Sequence, residues 1–212
     1  VLLGEPGSGK TTTLRRLVYD YAVAAQGAPL PDKDLPLPLL VPLGNFSGSE
    51  SALSHVTKYA GALASSIEEY LRAGRLVLLL DGLNEMPRDD YSERVGRIQQ
   101  LLDSFPQAAV VVTCRVMDYV EKLNLEKLQV KPLDVVRQRQ YLHRYLGEVA
   151  GEQLFWQLAG GAAVDDLWAT WQQQGLTFEQ LWTVKELPDK IWWKLSGTQR
   201  DAWQTLHNDG LP

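Results

Sequence analysis

The residues of this chain that could do chemistry together lie in three short segments: Gly4-Glu5-Pro6-Gly7-Ser8-Gly9-Lys10-Thr11-Thr12, Asp81-Gly82-Leu83-Asn84-Glu85 and Thr113-Cys114-Arg115. The first fits G-x-x-x-x-G-K-[ST], and it sits between the apolar run Val1-Leu2-Leu3 and a helical pattern, the context that phosphate-binding loops require. Gly4, Gly7 and Gly9 can take positive φ and let the backbone pass close to a phosphate, so that successive N–H groups converge on an anion. The loop feeds a helix N-terminus, whose unpaired N–H groups and dipole favour negative charge. Lys10 is placed to reach the β and γ oxygens of a nucleotide, and the Thr11 hydroxyl to take one site on Mg²⁺. The binding set read from this stretch is Gly4, Glu5, Pro6, Gly7, Ser8, Gly9, Lys10, Thr11 and Thr12.

Asp81 ends the apolar run Leu76-Val77-Leu78-Leu79-Leu80, which places it at the carboxyl edge of a sheet, where open α/β sheets bind ligands. There it can hold Mg²⁺ together with Thr11; Asp-Gly is also a common turn pair. Glu85, four residues on, is within reach of a water in line with the γ-phosphate, a general-base or water-orienting role. Arg115 follows the run Ala108 to Val112 and would bring a fixed positive charge to the same edge, suited to a γ-phosphate or to transition-state charge. A surface arginine is the other reading of that position.

These residues need a parallel sheet to bring them together. Leu14, Leu17, Val18, Tyr21, Ala22 and Ala25 recur at helical spacing and predict about four turns with one buried face. Residues 26–36 read as a Pro-rich surface connection. Leu37-Pro38-Leu39-Leu40-Val41-Pro42-Leu43 reads as a strand whose two prolines confine it to an edge. Ser51 is a helix cap, and Ala52 to Ala60 and Ile67 to Ala73 are helical, with a break near Gly61. The run Leu76 to Leu80 is apolar at every position, the pattern of a parallel strand covered on both faces. A helix marked by Tyr91, Val95, Ile98, Leu101 and Leu102 leads to the strand Ala108 to Val112. A short strand, Leu128 to Val130, precedes a helix from Asp134, its cap, to Leu146. Strand and helix alternate as in a parallel sheet with crossover helices. From Gly147 on, the pattern is helical and contains all seven Trp residues, read as the core of a helical subdomain or an interface.

The bulk properties set limits. A chain of 212 residues can bury a real core. Lys and Arg number 21 against 26 Asp and Glu, which argues against a broad nucleic-acid surface. The single Cys114 suits a small core side chain in a reducing compartment. His55, His143 and His207 show no metal-ligand spacing. No apolar run reaches membrane-spanning length, so there is no direct membrane signal, and the cytoplasm is the expected location. With no initiator Met and a first strand entering three residues before the loop, the chain reads as a piece of a longer protein.

In order and spacing, Gly4 to Thr11, the Pro-containing strand Leu37 to Leu43, the run Leu76 to Leu80 with Asp81 to Glu85, and Val110 to Arg115 resemble the NACHT domain of the STAND class of P-loop NTPases. The resemblance covers roughly residues 1 to 147. It implies a sheet of order 5-1-4-3-2 with flanking helices, the strand of Arg115 lying between those of Lys10 and Asp81, and Arg115 as sensor 1. Asn84 stands where the family often has an acid, so that the acidic pair is reduced to Glu85. The family also implies a Gly-x-Pro segment in contact with the base, to which this reading assigns no residues. The Trp-rich remainder is similar to the region downstream of this domain in some bacterial NACHT proteins. The expected domains are 1–131, a P-loop nucleotide-binding domain with a truncated first strand, and 132–212, a helical segment beginning an adjoining helical domain.

Two function classes are compatible with these features. One is an ATP-binding and ADP-binding switch with slow Mg²⁺-dependent hydrolysis, controlling effector and sensor domains of the same longer chain and able to form a nucleotide-dependent oligomer. The other is a P-loop ATPase whose hydrolysis drives mechanical or transport work. No Leu-Ser-Gly-Gly transporter signature is present. Neither Asn-Lys-x-Asp nor Asp-x-x-Gly occurs, which favours ATP over GTP.

Overall fold

The computed structural model describes residues 1–27, 35–120, 123–158, 162–175, 177–178, 180 and 187–209. The chain divides into two compact units, Val1–Lys131 and Pro132–Pro212.

In the first unit, five parallel strands, β1 (Leu2–Leu3), β2 (Leu37–Pro42), β3 (Leu76–Asp81), β4 (Ala109–Cys114) and β5 (Leu128–Gln129), lie in the order β2-β3-β4-β1-β5. Read from the other edge this is 5-1-4-3-2, the expected order. β4 therefore separates the strand before the phosphate loop from the strand that ends in Asp81.

Side-chain alternation along β3 assigns the helices to faces. Val77 and Leu79 pack with Leu40 and Val111 against Leu14, Leu17, Val18 and Tyr21 of α1 (Lys10–Gly27). Leu76, Leu78 and Leu80 join Leu39, Val41 and Val112 on the opposite face. That face is covered by α2 (Ala52–Tyr59), α3 (Ile67–Arg72) and α4 (Tyr91–Ser104) through residues such as Val56, Leu71, Val95 and Ile98. Both faces of β3 are thus dry, which is why its run has no polar position before Asp81.

The prolines of β2 fall where they cost nothing. Leu37 N–H donates to Arg75 O (2.9 Å) and Leu43 N–H to Asp81 O (2.8 Å). Alternation then turns positions 38 and 42 away from β3, and these are the two that lack an N–H. The outward carbonyl of Pro42 is taken by His55 Nε2 (2.9 Å), a side chain only 2% exposed that covers this end of the edge strand.

Some boundaries differ from the sequence reading. α1 runs on to Gly27, so the connection at 26–36 begins in helix, and residues 28–34 of it lie outside the described residues. β4 continues through Thr113 and Cys114 because Leu2 and Leu3 pair with them, a partner that apolarity alone does not show. The break near Gly61 is a 3₁₀ segment, Gly61–Ser66. The Ser51 cap forms as expected, its hydroxyl accepting from Ser54 N–H at 3.1 Å.

The second unit is helical where described. Asp134 caps α5 (Val135–Leu146), its carboxylate accepting from Arg137 N–H at 2.8 Å, and Gly147 ends it at φ +84°. α6 (Glu148–Leu158) packs so closely that a Cβ on Gly151 would lie 2.7 Å from the Leu142 carbonyl carbon and oxygen. Trp171 and Trp203 share a core with Leu167, Leu187, Ile191 and Leu195, and Trp156 packs edge-on to Phe155 and Phe178. Trp193 is 73% exposed, so the aromatics are not uniformly core; Trp182 lies outside the described residues. Leu195-Ser196-Gly197-Thr198 departs from Leu-Ser-Gly-Gly at its last place, and here Ser196 and Gln199 cap helix Gly197–Asp209 reciprocally (3.2 and 2.9 Å).

Between α5 and α6, the Glu152 carboxylate accepts from Arg139 Nε (2.7 Å) and Nη2 (2.8 Å), His143 Nε2 (2.6 Å) and Trp156 Nε1 (2.8 Å). Burial by itself raises the carboxyl, but the donors Arg139, Trp156 and His143 more than offset it and hold the pKa at about 2, against an ordinary 4.5. A depressed carboxylate contributes stability that is fully present above its unfolded pKa and is lost as pH falls through the folded value. Unfolding followed by circular dichroism should therefore show stability dropping as pH goes from about 4.5 toward about 2. Glu152→Gln should be less stable at neutral pH and should flatten that decline; identical pH profiles for the two proteins would contradict it.

Candidate functional site

The carboxyl edge of the sheet carries a cleft of about 270 Å³ lined by Pro6, Gly7, Gly9, Lys10, Thr11, Thr12, Asp81, Asn84, Glu85 and Arg115, together with Gly82 and Thr113. The cleft thus gathers residues of the phosphate loop, of the start of α1 and of the chain at the ends of β3 and β4. Gly4, Glu5 and Ser8 of the expected set are not among the lining residues but belong to the same loop. A larger hollow, about 510 Å³, lies among α2, α3 and α4, where Arg72 and Arg97 are already paired with Glu68 and Glu93.

The loop is built by glycine in two ways. Gly7 and Gly9 take φ +74° and +89°, the left-handed conformation that L side chains resist. Gly4 does not, contrary to the sequence reading. Its need is space, since a Cβ there would overlap Ser8 Oγ and come 3.3 Å from Val130 Cβ. The loop closes on Ser8 N–H to Glu5 O (3.1 Å), and α1 makes its first bond from Thr13 N–H to Gly9 O (2.8 Å). The N–H groups of Lys10, Thr11 and Thr12 are consequently left without intrahelical acceptors, beside the cleft these residues line. Lys10 Nζ arches over the loop, donating to Gly4 O (2.8 Å), Glu5 O (2.9 Å) and Ser8 Oγ (3.5 Å).

Across from the loop, Thr11 Oγ1 donates to Asp81 Oδ1 at 3.2 Å. The same oxygen accepts from Thr113 Oγ1 at 2.6 Å, and Thr113 Oγ1 accepts from Gly82 N–H at 2.8 Å. Gly82 turns the chain at φ +79°, and Glu85 N–H bonds back to Gly82 O (2.8 Å). This folds the Glu85 carboxylate over the Gly82 Cα on the cleft wall. Asn84 Oδ1 accepts from the backbone N–H of Arg115 (3.1 Å), tying the turn after β3 to the end of β4. Glu85 and Arg115 are both exposed.

Thr113 and Asn84 are the contributors that the sequence reading did not assign a role. Their signal was slight: a hydroxyl two residues before Arg115 and an amide in place of an acid. Cys114 is buried and free, its thiol pushed up to about 11 by burial and then by the charge of Asp118, so it is an inert core group.

The residues suit a hydrated divalent cation on a phosphate. They offer one carboxylate and one hydroxyl beside the loop, and magnesium is held by one or two carboxylates plus substrate phosphates. Among the described residues no group of three or more His, Cys, Asp or Glu forms a cage for a metal.

A five-stranded parallel sheet of this order, with a glycine-rich loop running from β1 into α1, is the architecture of a P-loop NTPase. The NACHT domain family matches residues 1–148, and the chain belongs to that family, which implies nucleotide binding. Among curated protein sequences none matches. A solved structure described as "Structural Basis for Katanin Self-Assembly" is similar at 16% identity and a TM-score of 0.44, covering 100% of this chain and 73% of that one.

The turn that carries Glu85 can be tested apart from any ligand. A Cβ on Gly82 would lie 2.7 Å from Glu85 Cδ in a backbone conformation strained for L residues. Gly82→Ala should lower stability by about 1–3 kcal/mol. Equilibrium urea unfolding measures this, and an unchanged midpoint would show that the turn is not constrained as described.

Proposed function

We propose that this chain is the nucleotide-binding part of a STAND-type switch that binds ATP with Mg²⁺ and hydrolyses it slowly. The observation that carries the reading is the 3.2 Å hydrogen bond from Thr11 to Asp81, which joins the phosphate loop to the strand-end acid across 70 residues of sequence. In this reading the loop from Gly4 to Thr12 cradles the phosphates and Lys10 meets the β and γ oxygens. Thr11 and Asp81 hold Mg²⁺, which supplies charge neutralisation on those oxygens. Glu85 orients or deprotonates the attacking water, and Arg115 faces the γ-phosphate. ATP is favoured over GTP because no Asn-Lys-x-Asp segment occurs.

Slow turnover is the consequence of the wall opposite the loop. Among the described residues the cleft's carboxylates are Asp81, which this reading gives to Mg²⁺, and Glu85; Asn84 cannot take a proton near neutral pH, and its Oδ1 is engaged by Arg115 N–H. Hydrolysis then resets a switch. The domains it would control are effector and sensor parts of the same longer chain, in the cytoplasm, with a nucleotide-dependent oligomer as one output in signalling or defence. Among the described residues no helix is long and apolar enough to cross a membrane.

Calorimetry should find that Lys10→Ala weakens ATP affinity by about a hundredfold or more, since hydrogen bonds to charged groups contribute about 1.5–3 kcal/mol each. Unchanged affinity would rule the site out. Glu85→Gln should bind ATP nearly as the wild type does but turn over more slowly, and Arg115→Ala should lose preference for ATP over ADP. Steady-state turnover of about ten per second or more, the median for enzymes, would favour an ATPase that drives work instead.

A further inference from the structure

Thr113 is 1% exposed at the end of β4, in the middle of the sheet, where an unpaired hydroxyl would be costly. Its two bonds have directions that chemistry decides. Gly82 N–H can only donate, so Thr113 Oγ1 accepts there at 2.8 Å, and the single hydroxyl proton goes to Asp81 Oδ1 at 2.6 Å. Thr11 gives its proton to the same oxygen at 3.2 Å, which leaves the lone pairs of Thr11 Oγ1 available to a cation. Among the described residues Oδ2 of Asp81 takes no hydrogen bond. The carboxylate is thereby oriented: Oδ1 is occupied by two hydroxyls and Oδ2 is the oxygen that can take charge from a metal or from its bound water.

We propose that Thr113 is a positioning residue for the metal-holding carboxylate, a link from the backbone of Gly82 to the Mg²⁺ ligand Asp81. The proposal rests on the reading of the cleft as a Mg-nucleotide site. Outer groups that orient a metal ligand typically change metal affinity about 10–100-fold when removed, while contributing little to a nucleotide bound without metal, whose phosphates are held by the loop and Lys10.

The test is calorimetry of ATP binding to the chain with Mg²⁺ present and with the metal chelated. Thr113→Val keeps the shape and removes the hydroxyl; Thr113→Ala, which leaves room for a water at Gly82 N–H, is the second variant should valine not fold. Both should keep metal-free ATP affinity within about twofold and lose about 10–100-fold of the gain that Mg²⁺ confers, and Thr113→Ser should restore most of it. If the wild type itself shows no Mg²⁺ gain, the underlying site reading fails. If the wild type shows the gain and the variants keep it, the positioning role is wrong. A parallel fall with and without Mg²⁺ would mean that Thr113 only supports the fold, and would also overturn the proposal.

Discussion

Everything at the carboxyl edge of this sheet depends on one carboxylate oxygen, Oδ1 of Asp81, shared by the hydroxyls of Thr11 and Thr113. Through it the start of α1, the end of β3 and the end of β4 are bound into one piece. β3 and β4 turn polar only at Asp81 and Thr113 and α1 begins with Lys10, Thr11 and Thr12, so the polar groups emerge together at the rim of a dry sheet. Hydrogen bonds there lie at the boundary of a low-dielectric interior and are stronger than in water, and an unpaired member would be correspondingly expensive. The second tie, Arg115 N–H to Asn84 Oδ1, joins the residue after β4 to the turn after β3.

The packing beneath supplies the rigidity on which that rim relies. β3 is buried on both faces and lies between β2 and β4, so Asp81 cannot shift without disturbing the sheet. β2 ends the sheet on that side because its outward positions include two prolines, and His55 occupies the carbonyl that the edge would otherwise expose. At the cleft, positive φ falls at Gly7, Gly9 and Gly82, which let the phosphate loop and the turn after β3 bend.

The helical unit uses a carboxylate in the same way to a different end. A single side chain, Glu152, satisfies donors from Arg139, His143 and Trp156, and the contact of Gly151 with the Leu142 carbonyl brings α5 and α6 near enough for it to do so. Polar groups here join helix to helix, whereas in the sheet they collect at the ligand edge. The difference is one of geometry, since parallel strands end together and packed helices meet along their sides.

By itself the sequence determined the elements, their alternation, the edge position of the Pro-containing strand, and the candidate residues Lys10, Thr11, Asp81, Glu85 and Arg115. Each of these is written in local terms: a period of two or 3.6, a missing N–H, a loop whose glycines and lysine have fixed spacing. Only the tertiary structure decided that Gly4 is needed for room instead of for its φ, that β4 continues through Cys114, that Asn84 braces Arg115, and that Trp171 is core while Trp193 is not. It also decided the partner of Thr113. A threonine near the end of a strand is unremarkable in sequence, and the acceptor of its proton is set by the register of β3 against β4, which places Leu80 beside Val112 and so Asp81 beside Thr113. Register is a relation between segments about thirty residues apart, and no local pattern in either one contains it.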